Sequence, residues 1–180
     1  FSEPDPESGY TLDDNARALI NIVMYYSHYH DEEVLKLADI YLNFIEEIQR
    51  EDGFFDNYKN FDRQLTSQNS EVNLEDANGR ALWSLGYVIS HKEILPLDLV
   101  LRAENCWKKA YKRIYEITSP RAIAYTLKGL YYYYSLYPEE TSLVSGFSHC
   151  KGKTGKPNRS PSRLDSFPFP SGFSKRGKWA

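Results

Sequence analysis

The chain has little of what would place it in several common protein classes. It carries one methionine and four histidines among 180 residues. Its two cysteines, Cys106 and Cys150, are too few for a disulfide framework, and neither stands in a metal-ligand spacing. Cys106 falls within a helical pattern, as a buried thiol would. No apolar run approaches the roughly 20 residues that a membrane-spanning helix needs. No leader with a charged start and an apolar middle is visible, and a cytoplasmic location is the expectation. Alternating, turn-bounded segments that would pair as strands are missing as well. No cofactor is expected, and no metal, because the acidic residues lack the ligand ladder of a calcium loop.

What is abundant is tyrosine. Fifteen tyrosines bring the aromatic content to 15%, while the apolar fraction is a modest 41%. A tyrosine buries its ring and keeps a hydroxyl available, which suits a half-wet groove as well as a core. Net charge is only -3, yet it is unevenly spread. From Ser145 onward eight Lys or Arg face a single acid, Asp165, leaving 14 basic and 24 acidic residues before that point. An acidic body gives no reason to expect a nucleic-acid partner, and only the basic tail keeps that possibility open.

Five segments show the helical period. They run from Leu12 to about Tyr29, Asp31 to Arg50, Leu74 to about Ser90, Pro96 to Ile117, and Ser119-Pro120 to near Tyr137. Val34, Leu37, Ala38, Tyr41, Leu42, Ile45 and Ile48 form the clearest amphipathic stripe. Ser119 followed by Pro120 has the form of an N-cap with proline at the first helical position. The fold class expected is all-α.

The first and third helices open alike. Asp14-Asn15-Ala16-Arg17-Ala18-Leu19 recurs 63 residues later as Ala77-Asn78-Gly79-Arg80-Ala81-Leu82, and Pro120-Arg121-Ala122-Ile123-Ala124 is a weaker third copy. Each of the first two copies is followed by a helix without the motif, so the repeating unit is a helical hairpin with polar residues on its first helix. First helices lining an interior and second helices wrapped outside would form a partial (α/α) toroid, with every motif at one end. Trp83-Ser84-Leu85-Gly86-Tyr87 has a superficial likeness to a tetratricopeptide unit, but a 63-residue shift is not the period of about 34 that such repeats require.

The recurring motif can be read in two ways. In a plain scaffold Asp13 caps its helix and Arg17 closes an intrahelical ion pair with Asp13 or Asp14. In a sugar site, carboxylates held at helix starts accept from vicinal hydroxyls while Arg17 and Arg80 fix their orientation. The second copy, with Glu75 and Asp76 before Asn78, Arg80 and Trp83, favours the site. Two acidic clusters at one end of an array are harder to ascribe to coincident caps. Gly79 points to a close approach by a ligand or another backbone. The loop from Asp52 to Arg63 adds Phe55, Asp56, Asn57, Asp62 and Arg63, the residue types that stack on sugar rings and bind their hydroxyls; the alternative is a polar loop anchored by its phenylalanines. Glycoside cleavage would need two carboxyl groups across one bond, which Asp13 or Asp14 with Glu75 or Asp76 could supply, Asp14 and Asp76 being the pair taken as catalytic candidates. The run Tyr131-Tyr132-Tyr133-Tyr134 must place some rings in the core and others outside. His28, His30 and His91 stand near helix ends, where ligation is the less common role.

Together, Gly9-Tyr10-Thr11-Leu12-Asp13-Asp14-Asn15-Ala16-Arg17, the Asp56-Asn57 to Asp62-Arg63 loop, and Glu75-Asp76-Ala77-Asn78-Gly79-Arg80-Ala81-Leu82-Trp83 resemble an α/α-toroid domain of six-hairpin glycosidase-like type. That domain accompanies or replaces the transferase domain in bacterial and archaeal proteins of the group-1 glycosyltransferase kind. The resemblance covers about residues 9–140 and implies a sugar-related function, with Tyr10 among the substrate contacts. The family has Ser or Cys followed by His where this chain has Ala77-Asn78, and it continues through further hairpins where this chain has a basic tail. The expected function is a carbohydrate-active domain acting on or binding an oligosaccharide or glycan, as glycosidase or transferase partner. The alternative is a non-catalytic helical module for a glycan or protein, with self-association through an open helical edge. The tail, residues 145–180, loses the helical period and contains Phe167-Pro168-Phe169-Pro170, which no helix continues through. We expect it to be disordered, so limited proteolysis should trim it first; a protease-resistant C-terminus would refute that expectation.

Overall fold

A computed structural model of the chain describes residues 9–136. The reading of the tail from Ser145 lies outside these described residues. Within them the fold is mostly helical. In chain order the elements are β1 (Tyr10–Thr11), α1 (Leu12–Tyr29), a 3-10 turn (Glu32–Val34), α2 (Leu35–Glu47), β2 (Tyr58–Lys59), α3 (Gln68–Glu71), α4 (Glu75–Ser90), α5 (Leu97–Tyr111), a 3-10 turn (Ile114–Glu116) and α6 (Pro120–Leu136). No helix among them is long and apolar enough to cross a membrane. The elements depart from the sequence expectation in several places, among them α5, which ends at Tyr111 rather than Ile117, and α3, which falls where no helix was expected. The helix placed at Asp31 begins only at Leu35, because Asp31 first closes a tight turn by accepting from the Glu33 amide at 3.0 Å. A two-residue antiparallel pair, Tyr10 to Lys59 and Thr11 to Tyr58, also exists, too short for any alternation to reveal.

Local chemistry accounts for the helix ends. Thr11 caps α1, its hydroxyl oxygen accepting from the Asp14 amide at 3.1 Å while the hydroxyl donates to the Asp14 carboxylate at 2.7 Å. The cap is therefore Thr11 rather than Asp13. At the far end His30 adopts a left-handed conformation and donates its N–H to the Tyr26 carbonyl, which closes the helix. Asn15 and Asn78 do the same work in the two motif copies: each side-chain amide donates to the carbonyl four residues back, Thr11 at 2.7 Å and Leu74 at 3.0 Å.

α4 is the centre of the molecule. All of it is buried except Glu75, Asp76, Arg80, Trp83 and Ser90, and it packs on α1, α5 and most extensively on α6. α1, α4 and α6 form an inner row; α2 packs behind α1 and α5 behind α4. Residues Gly79 and Gly86 of α4 lie against Ala122 and Gly129 of α6, so the two helices run in the same direction with backbones nearly in contact. A Cβ on Gly79 would stand 2.6 Å from the Ala122 carbonyl oxygen, and one on Gly129 2.5 Å from that of Leu82. The close approach expected at Gly79 is thus to a helix backbone. Behind this contact Trp107 of α5 fills the gap, 1% exposed and stacked on Tyr133 with centroids 5.2 Å apart. The tyrosine run divides as its length requires: Tyr133 enters the core, Tyr132 meets Tyr87 edge-on and Tyr131 is exposed. Cys106 is a free, buried thiol, which desolvation pushes up to about 11.

The outer helices are tied by one side chain. Arg102 of α5 donates to Asp39, Asn43 and Glu46 of α2 and to Asp98 on its own helix. Helix propensity and packing oppose each other at Gly86. Alanine would favour the helix by about 1 kcal/mol, yet its Cβ would lie 2.9 Å from the Gly129 Cα, in backbone that cannot swing aside. Gly86→Ala should therefore destabilise the fold by about 1–3 kcal/mol in chemical denaturation; a stabilised variant would refute the close approach of α4 and α6.

Candidate functional site

The three inner helices begin at the same end of the molecule, and their first turns are joined by ion pairs that step from one helix to the next. Arg80 of α4 reaches back to Asp13 of α1, and Arg121 of α6 reaches back to Asp76 of α4. Asp76, not Ala77, is the 63-residue counterpart of Asp13, so each acid of the repeat is engaged by an arginine of the following inner helix. Arg17 alone behaves as the intrahelical reading expected, pairing with Asp13 at 3.0 Å and with Asp14. Asp76 and Arg80, four apart on α4, do not pair with each other, because Arg80 is committed to Asp13 and to the Tyr125 hydroxyl at 3.1 Å.

Desolvation works against the charge on Arg80, and Asp13 with Tyr125 more than offsets it, so the guanidinium stays above its ordinary range. Glu75 is held differently. Its carboxylate accepts from the Thr118 amide at 2.7 Å, the Thr118 hydroxyl at 3.0 Å and the Ser119 amide, at the start of α6. The Ser119 hydroxyl donates to Asp76 at 3.2 Å and accepts from the Ala122 amide at 3.5 Å, which makes Ser119 the cap that its place before Pro120 implied. Desolvation by itself would raise the Glu75 carboxyl, but these donors outweigh it and hold the group below its ordinary 4.5.

Beyond the first turn the stripe continues along α4 and α6 as a ladder with a constant offset of 45 residues. Asp76 meets Arg121, Arg80 meets Tyr125, Trp83 meets Lys128 and Tyr87 meets Tyr132. Tyr125 lies parallel to Trp83, 3° between planes and 5.9 Å between centroids, with the Arg80 guanidinium 4.8 Å from its ring centre. The Lys128 ammonium stands 3.7 Å from the centre of a Trp83 ring. Burial raises Tyr87 above its usual range, with the neighbouring Tyr132 adding to it.

Of the residues named from sequence, Asp13, Asp14, Arg17, Glu75, Asp76, Arg80 and Trp83 share this face. Asp14 is its most open carboxylate, with a side chain 68% exposed. The loop residues are mostly elsewhere. Phe55 is fully buried in the core and has no ring face to offer a sugar, which corrects its assignment as a substrate contact. Asn57 and Asn78 are buried too, and backbone takes up their side chains. Asn57 accepts from the Asp13 amide at 3.1 Å, and Asn78 both accepts from and donates to the Phe55 main chain, at 2.8 and 2.9 Å. They lock the loop under the motif end and are not ligand contacts. Asp56 is held by Arg50 at 3.3 Å, and Tyr10 tilts over Phe44. Asp62 is at an exposed turn. Arg63, in a left-handed conformation there, lies 3.6 Å from Glu47. With Ile40, Asn43, Glu46 and Glu47 it lines a surface depression of about 250 Å³. None of the acid and arginine steps lines that depression, and its acids are already paired, Glu46 with Arg102 and Glu47 with Lys59.

Sequence reasoning overlooked Tyr125, Lys128 and the role of Arg121. Their spacing along α6, Arg121, Tyr125, Lys128 and Tyr132, was the available signal, since it repeats the spacing of Asp76, Arg80, Trp83 and Tyr87. No group of three or more His, Cys, Asp or Glu among the described residues is arranged to hold a metal ion.

No family model matches this chain, and no curated protein matches it either.

The cap that Glu75 provides has a pH signature. A carboxyl whose folded pKa is depressed gives stability that is present above its unfolded value and lost as pH falls through the folded value. Glu75→Gln should therefore cost about 1 kcal/mol near neutral pH, as the loss of a helix cap does. The difference from the parent should close as pH drops below 4.5. Urea midpoints measured across pH check this; a gap that is the same at every pH would refute it.

Proposed function

We propose that the chain is a carbohydrate-active domain, built as a partial (α/α) toroid of the six-hairpin glycosidase-like kind, that takes a glycan along the inner face of α1, α4 and α6. One observation carries this reading. Carboxylates from two helix starts, guanidiniums from three helices and a stacked Trp83–Tyr125 pair lie on a single face. Short carboxylates held in place by arginines accept from vicinal hydroxyls without reorganising, and aromatic surface beside them suits the apolar faces of sugar rings. Asp14 and Asp76 are the groups we assign to act on a glycosidic bond, with Asp13, Arg17 and Arg80 positioning them. The resemblance of residues 9–140 to toroid domains that accompany glycosyltransferases points the same way.

A second reading, glycan binding without turnover, has its own support. Asp13, Asp14 and Asp76 each face a guanidinium, and Glu75 is filled by amides, whereas a general acid is normally set in apolar surroundings that keep its proton on. The two readings separate in one assay, in which the chain is incubated with oligosaccharides on a glycan array and the eluates are weighed by mass spectrometry. We expect retained glycan from the parent. Asp76→Asn should lower retention, or turnover where products form, at least about tenfold, a loss of roughly 1.4 kcal/mol, with an unchanged helical circular-dichroism spectrum. Cleaved products assign catalysis, and retention without products assigns a binding module. A parent chain that retains no glycan, or an Asp76→Asn variant indistinguishable from it, overturns the assignment.

A further inference from the structure

Charges on the inner face do not balance locally. Arg17, Arg80 and Arg121 are matched by Asp13, Asp14 and Asp76, and the fourth acid, Glu75, is satisfied by the Thr118 and Ser119 amides. Every acid of α1, α4 and α6 lies in the first turn of α1 or α4, and α6 has none. That leaves Lys128 as a cation on the ladder with no carboxylate partner among the described residues. Its one described contact is the Trp83 ring, 3.7 Å away. The nearest acid in the ladder, Asp76, is seven residues before Trp83, a rise of about 10 Å along the helix. At physiological salt that is about a screening length, so Asp76 neutralises little of the Lys128 field.

The contact with Trp83 does more than hold the ammonium. It fixes a flexible side chain against a platform that is itself stacked on Tyr125, so less rotamer entropy is lost when the charge engages an anion. Along the face, then, hydroxyl-binding acids stand at one end and an uncompensated cation, flanked by aromatic rings, stands two rungs further on. The four rungs from Asp76 to Tyr87 span roughly 16 Å, enough for more than one sugar ring.

We propose that Lys128, seated on Trp83 beside Tyr125, is a subsite for the anionic substituent of an acidic saccharide, a uronate carboxylate or a sugar phosphate. This rests on the carbohydrate reading above and narrows its ligand class from glycans in general to charged ones. The sugar bearing the anion lies alongside Trp83 and Tyr125, and the next ring reaches Asp76 and Asp14 with its hydroxyls. Because the anion meets the ammonium as a point charge, arginine at the same position keeps the interaction and neutral residues lose it.

The test is an array of matched neutral and acidic oligosaccharides, mannan with mannuronan and galactan with galacturonan, together with a phosphorylated mannan, probed with the full chain. The parent should favour the acidic member of each pair by at least about tenfold, and the preference should fall as salt rises. Lys128→Ala and Lys128→Gln should bring acidic and neutral members to equal affinity while neutral binding persists, and Lys128→Arg should restore the preference. Uronate and phosphate members retained alike identify the charge as what is recognised, and retention of one alone tells which anion fits. Equal retention of neutral and acidic members by the parent, or an acidic preference that survives Lys128→Ala, overturns this proposal and leaves the carbohydrate reading standing. Retention of no member overturns both.

Discussion

Backbone contact between α4 and α6 is the constraint from which the rest of the face follows. With Gly79, Gly86 and Gly129 at the crossing, no side chain separates the helices, and their distance is set by main-chain atoms. Two parallel helices pressed together this closely present matching residues at a fixed offset along their shared edge. The ladder of Asp76, Arg80, Trp83 and Tyr87 with Arg121, Tyr125, Lys128 and Tyr132 is that edge. A bulkier residue at Gly86 would part the helices and open the stacking of Tyr125 on Trp83 at the same time. The small residues therefore act on the site through geometry, at a distance from its chemistry.

Magnitudes separate what holds the fold from what shapes the face. Burying Leu12, Leu19, Leu82 and Leu85, each fully enclosed, contributes roughly 1.5–3 kcal/mol apiece. An exposed ion pair such as Arg17 with Asp14 is worth about 0–1 kcal/mol and weakens in salt. Arg80 with Asp13 is the exception, since both side chains are about four-fifths buried and removal of one strands the other. Stability thus comes from the apolar interior, while the stepwise pairs fix the register of successive inner helices and the direction in which each carboxylate points.

The helices and their hairpin repeat were legible in sequence because both are periodic. Leu12 to Tyr29 was readable to its limits, and the recurrence of Asn-x-Arg-Ala-Leu placed α1 and α4 at one end. The partners of the charged residues were not legible. Asp76 and Arg80, four apart on one helix, satisfy the usual rule for an intrahelical pair, yet each is drawn to a neighbouring helix whose proximity no local rule encodes. The loop misled for a related reason: a run of aromatic and amide residues reads the same whether its rings face solvent or core. Phe55 and Asn78 became structural only because the loop folds beneath the start of α4, a long-range fact.

The order of charges along the face bears on how a glycan would be used. The carboxylates of the face are confined to the helix starts, where the helix dipoles favour negative charge and where their arginines already point. Further along, the surface turns aromatic and cationic. A neutral oligosaccharide would find hydrogen-bonding partners at one end and little beyond ring stacking at the other. One carrying an anionic group on an adjoining sugar would meet complementary chemistry at both ends, and in one orientation only, because reversing it would bring the anion against Asp76 and Asp14. A polarity of this kind sets the direction of a chain before any bond is touched, which a binding module and a cleaving enzyme would each require.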